Sequence, residues 1–164
     1  AAREVHEIRQ RWQQPTGSDF LVVGGMGHAL MIATAMARQM PAKKVLCIDG
    51  DGALLMHTGG LALSARQDDL LHIVINNEAH DSVGGQATCH SGHALAPIAQ
   101  AFGYRHVARV DTTEQLAQAV GQALKAPTAA FIEVLCRCGH RPELGRPQAS
   151  PADNSDAFMR FLHA

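Results

Sequence analysis

The sequence predicts an α/β fold, a three-layer sandwich in which a central, mostly parallel sheet is covered by helices on both faces. Two observations predict it. Short, continuously apolar runs alternate with stretches of helical character, as expected of strands buried on both faces and joined by crossover helices. Three successive apolar runs also end in residues that a strand core does not need: GGMGH (24–28), DGDGA (49–53) and NNEAH (76–80). Ligands bind such sheets outside the carboxyl ends of the strands.

Element by element, FLVVGG (20–25) reads as a buried strand, followed by a helix over about 27–40. KKVLCIDG (43–50) is a second strand, and ALLMHTGGLALSAR (53–66) a helix loosened by Gly59 and Gly60. LLHIVINN (70–77) is a third strand, and a glycine-rich loop fills 78–93. A helix over about 94–102, a strand at 104–110, a helix from Thr113 to Lys125 and a strand at 129–136 complete the alternation. Thr112 and Thr113, followed by Glu114 and Gln115, supply an N-cap. A tail from Arg137 to Pro151 leads to a last short helix at 153–163.

At 164 residues the chain is about one domain. Residues 1–18 form an N-terminal extension or linker, and 19–164 the ligand-binding domain. A formal net charge of -1 gives no electrostatic reason to expect nucleic acid or an anionic membrane as partner. Apolar stretches such as 29–37 fall short of the roughly 20 residues of a bilayer span. The amino end is charged, without the apolar middle of a signal peptide, so the expected compartment is the cytoplasm. It also lacks an initiating Met, as a piece of a longer protein would. Cys47 falls inside a buried strand, where a thiol serves as a small hydrophobe. Cys136, Cys138 and His140, with Cys89, His90 and His93, lack zinc-finger spacing.

The strand ends suggest a chemistry. A helix opening just after Gly52 offers unpaired N–H groups to a phosphate, and Gly50 and Gly52 permit close approach. Asp51, at a solvent-facing strand tip, would repel that phosphate unless a divalent cation lay between them. Magnesium takes hard oxygens, and Asn76 and Asn77 provide neutral ones at the next strand end. The stretch is thus built for a metal-bridged diphosphate. A dinucleotide fold is the rival, but GGMGHAL has Leu30 where the third fingerprint glycine belongs and leaves Asp51 without a role. No G-K-[ST] occurs, which excludes a Walker loop.

Gly50-Asp51-Gly52, followed after 23 residues by Asn76-Asn77, resembles the thiamin-diphosphate motif. The resemblance implies that Asp51, Asn77 and the backbone oxygen of Ala79 hold Mg2+, with Asn76 a structural partner. Met26 matches the bulky residue that props the cofactor in its bent form, and the carbonyl of Gly24 the acceptor for its aminopyrimidine. Gly25, His28, Gly50, Gly52, Ala53 and His80 are placed against the cofactor by the same resemblance.

NNEAHDSVGGQ (76–86) and LGRPQASPADNSDAFM (144–159) further resemble phosphonopyruvate decarboxylases and, less closely, the beta subunit of sulfopyruvate decarboxylases. Glu78 departs from the small residue expected there, and the cysteines with His140 are not family features. The implied activity is non-oxidative decarboxylation of a 2-oxo acid with an anionic C3 substituent, foremost 3-phosphonopyruvate. His80 is the candidate catalytic residue, and His28, Arg141 and Arg146 are candidates for the substrate's anionic end. In this family a separate pyrimidine-binding domain or alpha subunit supplies the glutamate that activates the cofactor. Nothing before Asp19 is long enough to be that domain, so the chain is expected to be half a site within an oligomer. A non-catalytic cofactor-binding subunit is the alternative.

Overall fold

A computed structural model describes every residue except 42, 91, 140, 142 and 164, and at residue 16 only the backbone. It divides into two compact units: residues 27–139, and residues 1–26 together with 140–164.

The larger unit contains all four strands, β1 (Val45–Gly50), β2 (Leu70–Asn76), β3 (His106–Val110) and β4 (Ala130–Leu135). They form one parallel sheet in the order β1-β2-β4-β3. Side chains alternate between its faces, as the two-residue period of a strand demands. Leu70 and Val74 of β2 pack into one core, and Leu71 and Ile73 into the other. The first core is closed by α2 (Ala29–Gln39), α3 (Asp51–Met56), α4 (Leu61–Ser64) and α5 (Ala96–Ala101). The second is closed by α6 (Thr113–Lys125), through Leu116, Ala119, Val120 and Ala123. Helices on both faces make the predicted three layers. Each fully buried leucine, such as Leu61 at 0% exposure, contributes about 1.5–3 kcal/mol relative to leaving it in water.

Local chemistry sets the helix boundaries. Thr112 Oγ1 accepts from Gln115 N at 3.2 Å, and the helix it caps runs from Thr113 to Lys125. The helix expected over 53–66 begins two residues earlier, at Asp51, and breaks around a 3-10 turn at Thr58–Gly60. Glycine's weak helical preference accounts for the break.

One strand does not form. Residues 21–23 join no ladder. Leu21 N is instead held by Asn154 Oδ1 at 2.8 Å, while Asn154 Nδ2 donates to Asp19 O at 3.0 Å. Asn154 lies on α7 (Pro151–His163) of the smaller unit. A side chain thus takes a backbone donor that a neighbouring strand would otherwise satisfy. The same unit includes α1 (Ala2–Arg11), where the sequence suggested only an extension. Arg9 grips Asp19 bidentately at 2.8 and 3.0 Å, and Phe20 meets Phe158 edge-on at 5.6 Å. Among the described residues, no helix is long and apolar enough to cross a membrane.

Candidate functional site

The sheet register sets Gly50 beside Ile75, so the residues following them, Asp51 and Asn76-Asn77, emerge at adjacent strand ends. Asp51 opens α3 and is 1% exposed, not at a solvent-facing tip as its sequence position suggested. The glycine-rich loop folds over it. Thr88 Oγ1 donates to Asp51 Oδ2 at 2.7 Å, and His90 Nε2 lies 3.0 Å from the same oxygen. His90 Nδ1 lies 3.0 Å from His93 O, so both ring nitrogens face acceptors. Two acceptors at the two nitrogens favour the doubly protonated ring. Burial pulls the His90 pKa down, but the bonds to Asp51 and His93 O and the nearby charges of Asp51 and Glu78 prevail and raise it. Both protein bonds to Asp51 fall on Oδ2, so among the described residues Oδ1 is the oxygen available to a cation.

The two asparagines diverge. Asn76 is buried and donates to Glu133 Oε1 at 2.7 Å, while its Oδ1 accepts from Glu78 N. It is structural, as the resemblance implied. Asn77 donates to Asp81 Oδ2 at 2.6 Å, and its Oδ1 accepts from Ala79 N at 3.2 Å, a contact that leaves one lone pair on that oxygen. Asp81 Oδ2 also accepts from Gly139 N, tying the amide turn to the chain beyond β4. Between these anchors Glu78 adopts φ +56°. Only glycine occupies that region freely, which explains why a small residue is expected there.

Sequence reasoning missed Glu133. It is 0% exposed on β4 and accepts from Asn76, from Leu95 N at 3.1 Å and from Ala96 N at 2.9 Å, with Arg109 Nε 3.5 Å away. An acid inside an apolar strand, AFIEVL, was the available signal.

His80 packs directly on Gly52: a Cβ there would fall 2.4 Å from His80 Cε1. A side chain at Gly52 would therefore have to displace the histidine ring, whereas a Cβ at Gly50 would meet nothing within 4 Å. Ala53, buried, follows in the same turn. His28 is exposed and its ring packs tilted against that of His57, centroids 4.6 Å apart and planes at 55°, along a cleft of about 470 Å³ that Met31 and Met56 also line. Gly27 must be glycine, with φ +87° and α3 backbone 3.1 Å from where its Cβ would stand. Gly24, Gly25 and Met26 lie in the smaller unit. With residues 21–23 outside the sheet, two of the three predicted strand ends form.

Other candidates have different employment. Arg141 is committed to Glu4 and Glu7, each at 2.9 Å, within the smaller unit. Arg146 lines a separate pocket beside Arg3 and His6. Cys136 and Cys138 are exposed, and Cys138 Sγ sits 3.5 Å from Asp81 Oδ1. His140 lies outside the described residues.

The donor set at the strand ends consists of hard oxygens: the Asp51 carboxylate, the Asn77 amide and the main chain at Ala79. It suits magnesium, which takes one or two side-chain oxygens and completes its shell with phosphate and water.

Over residues 4–134 the chain matches the family described as thiamine pyrophosphate enzyme, C-terminal TPP binding domain. It is 34% identical over 164 residues to phosphonopyruvate decarboxylase of Streptomyces viridochromogenes, covering 99% of this chain and 40% of that protein. Against sulfopyruvate decarboxylase subunit beta of Methanococcus maripaludis it is 34% identical over 163 residues, covering 98% of this chain and 84% of the subunit. Phosphonopyruvate decarboxylase of Streptomyces hygroscopicus is also 34% identical, with 39% of that protein covered. The chain thus spans about two fifths of the length of the Streptomyces relatives. Benzoylformate decarboxylase from Polynucleobacter necessarius shares the fold, with a TM-score of 0.65 at 21% identity over 73% of this chain and 25% of that one.

Proposed function

The chain belongs to the family of C-terminal TPP-binding domains of thiamine pyrophosphate enzymes, and on that premise we propose that it is the magnesium- and diphosphate-binding half of a 2-oxo acid decarboxylase. The pair Asp51 and Asn77 on adjacent strand ends carries the proposal, because Glu133 occupies the buried Asn76 while Asn77, half-buried, is held by Asp81. Asp51 Oδ1, Asn77 Oδ1 and the Ala79 carbonyl are the magnesium ligands in this proposal. Gly50, with open space before it, admits the diphosphate. Thiamin diphosphate, when bound, supplies the nucleophilic carbon and the electron sink for loss of carbon dioxide.

The chain's own residues bind and orient. Thr88 and His90 fix the Asp51 carboxylate in one orientation, so that it meets the cation without reorganising. Asp81 does the same for Asn77. His80, on the floor made by Gly52, is the side chain best placed beside the diphosphate region to hold or pass a proton. Gly24, Met26 and His28 are proposed against the pyrimidine side on the strength of the family resemblance. A pyrimidine-binding domain or alpha subunit supplies the activating glutamate.

The proposed substrate is 3-phosphonopyruvate, converted to phosphonoacetaldehyde. Similarity to two phosphonopyruvate decarboxylases, over 99% and 98% of this chain and 40% and 39% of those proteins, supports it. A sulfopyruvate beta subunit is the second candidate, supported by a stand-alone relative of which this chain covers 84%. A site shaped for a dianion discriminates against a methyl group, because its polar partners would be left desolvated and unpaired. The test is kcat/KM of the complex with a pyrimidine-binding half on phosphonopyruvate, sulfopyruvate and pyruvate. The first should be preferred. Preference for sulfopyruvate reassigns the substrate, and preference for pyruvate removes both. Decarboxylation by the pure chain alone would contradict the half-site.

A further inference from the structure

Below the strand tips, inside the larger unit, three polar side chains meet on the face of the sheet that carries α2 to α5. Cys47 and Asp49 stand two residues apart on β1, and His72 is the registered neighbour of Cys47 on β2. One ligand atom from each, the thiol sulfur, a carboxylate oxygen and a ring nitrogen, all lie within 4.8 Å of one another. The residues are 4%, 7% and 0% exposed, respectively. Asp49 Oδ2 and both ring nitrogens of His72 have no hydrogen-bond partner among the described residues. Buried polar atoms are normally satisfied, so three orphans in one place require an explanation.

Direct pairing does not provide one. His72 Nε2 and Asp49 Oδ2 are 4.0 Å apart, too far for a hydrogen bond. An ion pair is also disfavoured, since both groups are buried and a charge on either would be desolvated without a hydrogen-bonded partner.

We propose that Cys47, Asp49 and His72 bind one divalent cation of the zinc class. Thiolate, imidazole and carboxylate together form a set that zinc accepts and magnesium, which avoids sulfur, does not. Zinc bonds of about 2.0–2.3 Å place tetrahedral ligands roughly 3.3–3.7 Å apart, a contraction of about 1 Å from the observed spacing. Charge favours the same answer. One thiolate and one carboxylate balance a dication, so the loaded centre is neutral, whereas any of the three groups charged alone is not. Binding displaces the thiol proton, and the carboxyl proton where present, to solvent; no electron is transferred. Water takes the fourth position. Because His72 is fully buried, the ion is captured as the chain folds and exchanges slowly. This site shares no ligand with the proposed magnesium site and does not depend on it.

The test refolds the full 164-residue chain with Co2+, whose thiolate charge-transfer absorption reports a sulfur ligand. The background is Cys89→Ala/Cys136→Ala/Cys138→Ala, so that Cys47 is the only thiol. Folding is checked by circular dichroism. The proposal expects about one Co2+ per chain, the charge-transfer band, and competition by Zn2+. Adding Cys47→Ser should abolish the band, and His72→Asn should weaken binding at least about tenfold. A refolded triple variant without the band, or a band that survives Cys47→Ser, overturns the proposal. Should Cys47→Ser not fold, the triple variant alone decides.

Discussion

Asp49 and Asp51 lie two residues apart where β1 becomes α3, and both are buried, at 7% and 1% exposure. Their surroundings differ sharply. Asp51 Oδ2 receives Thr88 and His90, whereas among the described residues the Asp49 side chain accepts from Gly50 N at Oδ1 and its Oδ2 has no partner. The backbone change at Gly50 separates them. Asp49 keeps the strand's inward register, while Asp51, in the first helical turn, is met by the loop that follows β2. Burial alone therefore does not define a carboxylate's role; its partners do.

Removing a partner is the strongest way to break this contrast. Asp51→Ala leaves His90 charged or unsatisfied in the interior and should cost about 3 kcal/mol, measured by urea unfolding. No loss would mean that the dyad is relaxed in solution. Glu133→Ala strips three donors of one acceptor, from Asn76, Leu95 and Ala96, and should cost about 2–3 kcal/mol, with Glu133→Gln recovering part of it. Equal losses for the two variants would show that packing matters there, not the acceptor.

The interior site has a pH signature. His72 is held at about 3 against an ordinary 6.5, so the unfolded chain binds the extra proton. In chelator, its contribution to stability is full above pH 6.5 and lost as pH falls toward about 3, with a slope of up to about 1.4 kcal/mol per pH unit. Asp49, raised by burial, acts in the opposite sense. Subtracting the profile of His72→Leu from that of the parent should isolate the histidine slope; identical profiles would refute the buried neutral ring. The smallest effect is a gain. Glu78→Gly relieves φ +56° and should stabilise by about 0.5–1 kcal/mol in thermal melts.

Much of this was legible in the sequence because it rests on local pattern. Apolar runs marked all four strands, Thr112 marked its helix, and the order of acid and amides marked two strand ends. What stayed hidden depends on distant partners. FLVV has strand composition, yet Asn154, more than a hundred residues later, takes its backbone donor. Asp51 reads as exposed until the loop carrying Thr88 and His90 closes over it. Cys47, Asp49 and His72 occupy ordinary strand positions, and only the β1–β2 register makes them neighbours.

In the proposed site Asp51 holds the cation that binds the cofactor. This role is tested most directly by titrating thiamin diphosphate calorimetrically into the complex of this chain with a pyrimidine-binding half, with and without Mg2+. Asp51→Asn, which preserves size, is compared with the parent. Tight, magnesium-dependent binding by the parent and a loss of about 100-fold in the variant are expected. Undiminished affinity, or affinity in the parent that ignores magnesium, would contradict that role.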